Sequence, residues 1–155
     1  MQFFNGNPDT MDRATPEPRN AFNYFRRYAT LWRDNDAYLH VNNAVHYAWF
    51  DAIVNAWLIE RGQLVLGQST AVGLVVANSC QYFSPVAFPD DVTAGLRLSR
   101  LGASSVTYEI GLFRNDEAQS LALGSLTHVY VNAATRRPVP MPAALREALA
   151  ELRRG

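Results

Sequence analysis

Hydrophobic and polar residues change period several times along the chain, and the changes outline the elements. Residues 25–32 (FRRYATLW) mix aromatic, β-branched and Arg side chains and predict a strand. A polar stretch follows to Asn42. Residues 43–61 contain neither Pro nor Gly, and Gly62 closes the run. Asn42 or Asn43 suits an N-cap and Gly62 suits a left-handed terminus, so this is the strongest helix in the chain. Val45, Trp49, Ala52, Ile53 and Ala56 fall on one helical stripe, yet Tyr47, Phe50, Val54, Trp57 and Leu58 lie elsewhere around the circumference. A helix apolar nearly all round is expected to be enclosed by protein.

The enclosing material comes next. Residues 73–82 (GLVVANSCQY) are rich in strand formers, and residues 91–101 and 105–114 alternate with period two. Residues 101–104 predict a hairpin turn, residues 114–117 another, and residues 119–132 a long final strand. Strands joined by short turns pair antiparallel, because parallel pairs need longer crossovers. Residues 138–142 break regularity and residues 143–153 predict a short helix. The order is strand, long helix, then about four antiparallel strands. One helix laid in a curved antiparallel sheet is an α+β solution that buries both apolar surfaces.

Composition narrows the function. The chain has 155 residues, room for one domain, and is 48% hydrophobic with a formal net charge of zero. Nothing there attracts nucleic acid or an anionic membrane in bulk. All fourteen basic residues are Arg, which reads as codon preference, although Arg also makes bidentate phosphate contacts. Cys80 is the single cysteine, so no intrachain disulfide and no thiolate metal cluster can form. Its apolar neighbours predict a structural thiol. Residues 1–20 lack the pattern of a signal peptide and predict a flexible polar arm, leaving residues 21–155 as one domain. No apolar run approaches the ~20 residues that cross a bilayer. A cytoplasmic location is the simplest expectation.

Candidate chemistry concentrates between Arg33 and Ala52, RDNDAYLHVNNAVHYAWFDA. A calcium loop is excluded because Leu39 stands where Gly is needed and Val45 where the closing Glu is needed. His40 and His46 are not an i, i+4 pair, so no metal is expected. Asp34 reads as a solvated loop acid or a partner of Arg33. The start of a helix presents unpaired amides and partial positive charge, which can polarise a carbonyl and stabilise the oxyanion formed on attack. Asp36, a few residues upstream, can act as nucleophile or general base. The minimum parts for acyl-group hydrolysis are therefore Asp36 and the backbone amides near Asn43 and Ala44. There is no G-x-S-x-G elbow, which disfavours a serine triad.

The stretch DNDAYLHVNNAVHYAWFD closely resembles the signature D-x-D-x-x-x-H-V-N-N-x-x-Y of hotdog-fold acyl-CoA thioesterases of the 4-hydroxybenzoyl-CoA thioesterase-like group. QYFSPVAFPDDVTAGLRLSRLGASSVTYEIGLF and GSLTHVYVNAATRRPVPMP resemble that group's later strands, so the likeness spans about residues 25–152. It implies a hotdog fold: one long central helix wrapped by a curved antiparallel sheet of five to six strands. It implies acyl-CoA hydrolysis without metal or cofactor, coenzyme A entering only as part of the substrate. It implies a homodimer or homotetramer with active sites at subunit interfaces. Asp36 becomes the expected catalytic carboxylate, and the amide of Asn43 or Ala44 the expected carbonyl contact.

His40 is a candidate to touch substrate or to orient the loop. Asn42, Tyr47, Phe50, Ser104 and Ser105 are candidate substrate contacts, each with an ordinary structural alternative: cap, core or hairpin. Arg97, Arg100, Arg136 and Arg137 are candidates for the coenzyme phosphates. Many relatives carry Gly-His where this chain reads Leu39-His40, which puts the loop geometry in question. Pocket depth depends on how Trp49, Trp57, Phe83 and Phe88 pack. Two other functions stay open: a hotdog acyl-thioester dehydratase or hydratase, and a non-catalytic acyl ligand-binding protein.

Overall fold

The computed structural model describes residues 13–154. The expectation for the first twelve residues of the polar arm lies outside them. Arg19–Ala21 forms a 3-10 turn, β1 spans Tyr24–Ala29, and a second 3-10 turn covers Trp32–Asp34. Helix α1 runs Asn43–Glu60. It is followed by β2 (Ala71–Tyr82), β3 (Asp91–Leu101), β4 (Ser105–Arg114), β5 (Ala122–Asn132) and α2 (Ala143–Ala148). The five strands form one antiparallel sheet in the order β1-β3-β4-β5-β2. The class is α+β.

Several boundaries differ from the expectation for local reasons. β1 stops at Ala29 because Thr30 donates to the Asp90 carbonyl and Leu31 leads into the 3-10 turn. The final helix is α only to Ala148, then tightens to a 3-10 turn at Leu149–Leu152 that turns Leu149 and Leu152 into the core. β5 begins three residues late, with Leu121 instead bonding Leu112.

Helix α1 begins at the Asn42 cap, whose side-chain oxygen accepts from Ala44 N at 2.9 Å, and ends before Gly62 at φ 68°. Trp49, Phe50, Ile53, Val54, Trp57 and Leu58 are buried against Leu96, Tyr108, Ile110, Leu112 and Leu126 of the sheet. The cover is one-sided within this chain. Ala44, Ala48 and Asp51 stay exposed, so the all-round apolar helix is not enclosed by its own sheet alone. β2 is an edge strand that pairs only with β5, and its Leu74, Val75 and Val76 are exposed.

Residues 14–20 lie against the sheet. Ala14 N donates to Gln81 Oε1, Ser120 N donates to the Glu17 carbonyl, and Pro18 bridges Gln119. No helix among the described residues is long and apolar enough to cross a membrane.

Candidate active site

The loop carrying Asp36 is built by local hydrogen bonds. Asn35 and Val41 form an antiparallel bridge, Asp36 N donates to the His40 carbonyl at 2.9 Å, and Leu39 N donates to the Asp36 carbonyl at 3.0 Å. This closes a tight loop with Tyr38 and Leu39 at its exposed tip. Leu39 sits at φ 65°, the left-handed region that a glycine enters without cost. The loop therefore takes a backbone turn that glycine enters without steric cost, with strain at Leu39 in place of glycine.

Asp36 is half-buried at the base of this loop. Its Oδ1 accepts from Tyr38 N at 2.8 Å, an Asx turn, and its Oδ2 lies 3.5 Å from Asn42 Nδ2, a long contact. Oδ2 is thus the freer oxygen. Asn42 has two faces: its side-chain oxygen caps α1 and its amide nitrogen approaches the carboxylate. The loop is fixed to the helix start by Asn42 N donating to the Asp34 carbonyl at 2.8 Å, and to the sheet side by Val41 N donating to the Val86 carbonyl at 2.7 Å. Asp34 itself accepts from Leu31 N, closing the turn before the loop.

A cavity of about 510 Å³ opens at this end of the helix. Asp36, His40, Asn43 and His46 line it, with Tyr38, Val41 and residues 82–86 completing the wall. Of the two amides expected at the helix tip, Ala44 N is taken by the Asn42 cap. Asn43 N has no acceptor among the described residues.

His46 is only 4% exposed, and its Nδ1 makes no hydrogen bond. Burial lowers its pKa, opposed by the nearby carbonyls of Asn42 and Asn43, so the ring stands neutral near pH 7. In the quoted signature this position is the closing Tyr, and here Tyr47 follows it. Tyr82 packs edge-on against His46 with ring centroids 4.9 Å apart.

The other candidates are dispersed. Phe50 is fully buried in the core over Gly124 and does not line the cavity. Tyr47 is half-buried and meets Phe50 edge-on at 5.7 Å. Ser104 and Ser105 lie at the β3–β4 turn, where the Ser104 carbonyl accepts from Tyr130 N, and they are not part of the Asp36 cavity. Arg97 is 5% exposed and held by Glu17 and Glu109, so its charge is already compensated. Cys80 is half-buried, with its thiol pushed up to about 11 by burial. No group of three or more His, Cys, Asp or Glu among the described residues is placed to hold a metal ion. Tyr82, Ser84, Pro85 and Val86 are walls that sequence reading missed. No local pattern marks them, because only strand pairing brings residues 82–86 to the helix start.

A family model of the thioesterase-like superfamily matches residues 30–149. Among solved structures, the PA5185 protein of Pseudomonas aeruginosa strain PAO1 is 46% identical, with 91% of this chain and 99% of that one covered and a TM-score of 0.87. The PA2801 protein of Pseudomonas aeruginosa is 27% identical over 83% of this chain and 98% of its own, with a TM-score of 0.75. A 1,4-dihydroxy-2-naphthoyl-CoA thioesterase from Synechocystis shares the fold at 17% identity, over 83% of this chain and 96% of that one, with a TM-score of 0.75. No curated protein matches the chain.

Proposed function

The chain belongs to the thioesterase-like superfamily, and from that premise we propose that it hydrolyses an acyl-CoA thioester to the free acid and coenzyme A. One observation carries the reading: Asp36 and Asn43 line one cavity, and the Asn43 amide has no acceptor among the described residues. The thioester carbonyl lies against Asn43 N, where the amide and the positive end of α1 favour the developing oxyanion. Ala44 is the poorer donor because its amide is already spent on the cap. Asp36 attacks the carbonyl carbon, or takes a proton from the water that attacks it. In either case the C–S bond breaks and the thiolate leaves and is protonated. Attack by water releases the acid directly, whereas attack by Asp36 leaves an acyl–Asp36 anhydride that water then hydrolyses to the acid and the free carboxylate.

Asn42 organises both partners, holding the helix start with one side-chain atom and facing the carboxylate with the other. His40 supplies a polar wall beside them. The hotdog arrangement itself, with α1 as the enclosed centre, needs more cover than one chain supplies. We assign that cover to a second copy, recruited by the exposed apolar edge of β2.

The test is turnover of a panel of aliphatic and aromatic acyl-CoAs by the parent protein, Asp36→Asn and Asp36→Ala. Removing a general base or nucleophile is expected to cost about 10²–10⁴-fold in kcat. An Asp36→Ala protein as fast as the parent on its best substrate rejects the assignment. Tight acyl-CoA binding without turnover across the panel rejects hydrolysis and leaves a binding protein.

A further inference from the structure

Tyr82 is the last residue of β2, and its hydroxyl donates to the backbone carbonyl of Asn43, the first residue of α1, at 2.8 Å. The two residues are 39 apart in the chain. A helical carbonyl accepts the amide four residues on and keeps a second lone pair, so the hydroxyl is an additional donor that completes this group. The strand end is itself anchored. Tyr82 pairs with Ala122, and Phe83 N and Ser84 N both donate to the Leu121 carbonyl, at 2.8 and 3.2 Å. On the opposite side Asn42 N is tied to the Asp34 carbonyl in the acid-bearing loop. The first turn of α1 is thus gripped from two directions, by the loop and by the sheet. Partial desolvation, with Cys80 and Tyr47 alongside, raises the Tyr82 pKa, so the hydroxyl remains a donor through the neutral range.

We propose that Tyr82 is a positioning residue for hydrolysis, its hydroxyl holding the helix tip where the Asn43 amide meets the thioester carbonyl. The inference rests on the thioesterase reading and adds to it the group that sets the amide's place relative to Asp36. The two reacting sides of the site sit on separate segments, so a loose helix tip changes the gap between them. A misplacement of about 1 Å is enough to cost roughly 10²-fold in rate. The hydrogen bond is solvent-exposed, so its loss changes global stability little.

Tyr82→Phe removes the hydroxyl and keeps the ring that packs on His46. The experiment pairs amide hydrogen exchange, read by mass spectrometry on peptides covering residues 41–50, with steady-state kinetics on the acyl-CoA the parent turns over best. Exchange in that segment is expected to rise about threefold or more while the rest of the sheet is unchanged. The expected kinetic result is a kcat about tenfold lower with KM within about twofold, the pattern of an interaction felt in the transition state. Unchanged exchange in residues 41–50 overturns the proposal. So does an unchanged kcat beside a general loss of protection, which describes a merely structural tyrosine. A parent that hydrolyses no acyl-CoA removes the thioesterase reading and with it the positioning role, and the exchange data then say only whether the tie to the helix exists.

Discussion

A single methyl group at Gly124 tests how tightly α1 is seated. Gly124 lies on β5 between Cys80 of β2 and Ile110 of β4, so its backbone is fixed on both sides by strand pairing. A Cβ there would stand 2.3 Å from both Cε2 and Cζ of Phe50, whose ring is fully buried. Carbon atoms pack at about 3.5–4.0 Å, so the ring must retreat by more than ~1 Å. It is hemmed by Tyr47 and by the core, and either Phe50 leaves its rotamer or α1 lifts from the sheet. Overpacking of this kind costs about 1–3 kcal/mol. For a chain of this length that is roughly 2–4 °C in melting temperature per kcal/mol, so Gly124→Ala is expected to melt several degrees lower.

Thermal denaturation followed by circular dichroism measures the loss. Phe50→Leu in the Gly124→Ala background supplies the control. Removing the ring relieves the clash, so the double variant should be more stable than the sum of the single losses by about 1 kcal/mol or more. A Gly124→Ala protein that melts with the parent would refute the claim that Phe50 rests on the bare backbone of β5. It would also reopen Phe50 as an acyl contact.

Four further outcomes are expected. Leu39→Gly relieves the left-handed residue at the loop tip, a net gain of about 0.5–1 kcal/mol after the entropy glycine loses on folding; a lower urea midpoint would contradict it. His46 and His128 are both buried with pKa values held below the ordinary imidazole value by burial. The unfolded chain therefore takes up protons first as pH falls through about 6.5, and stability drops from there at up to ~1.4 kcal/mol per pH unit for each ring. Urea melts between pH 7.5 and 5.5 should show this slope, and His46→Gln/His128→Gln should flatten it. The Cys80 thiol, raised to about 11, should alkylate with iodoacetamide at pH 8 at least ~10-fold more slowly in the folded than in the denatured protein; equal rates would place it in an ordinary aqueous setting. Arg97→Met leaves Glu109 without its cation and Glu17 with Arg154 alone, and a loss of about 1–3 kcal/mol in urea is expected; a neutral result would show that the network is dispensable.

Much of the fold was readable because its determinants are local. Period-two alternation marked β3 and β4 to the residue, and the absence of Pro and Gly between Asn43 and Arg61, with Asn42 before and Gly62 after, marked α1. The loop acid was readable for the same reason. Asp36 and the cap at Asn42 are six residues apart, and the turn that joins them is closed by its own backbone. What could not be read depends on pairing across the sheet. Tyr82 reaches Asn43 only because β2 pairs with β5 in one register. Phe50 became core rather than cavity wall because a glycine on β5 leaves room for its ring. Arg97 lost its candidacy as a free cation because β4 sets Glu109 beside it and the chain before β1 brings Glu17 over it. Hydrogen bonding and side-chain periodicity act over a few residues and leave their mark in the sequence. The choice of which distant residues meet is made by the packing of whole elements, so only the tertiary structure decided it.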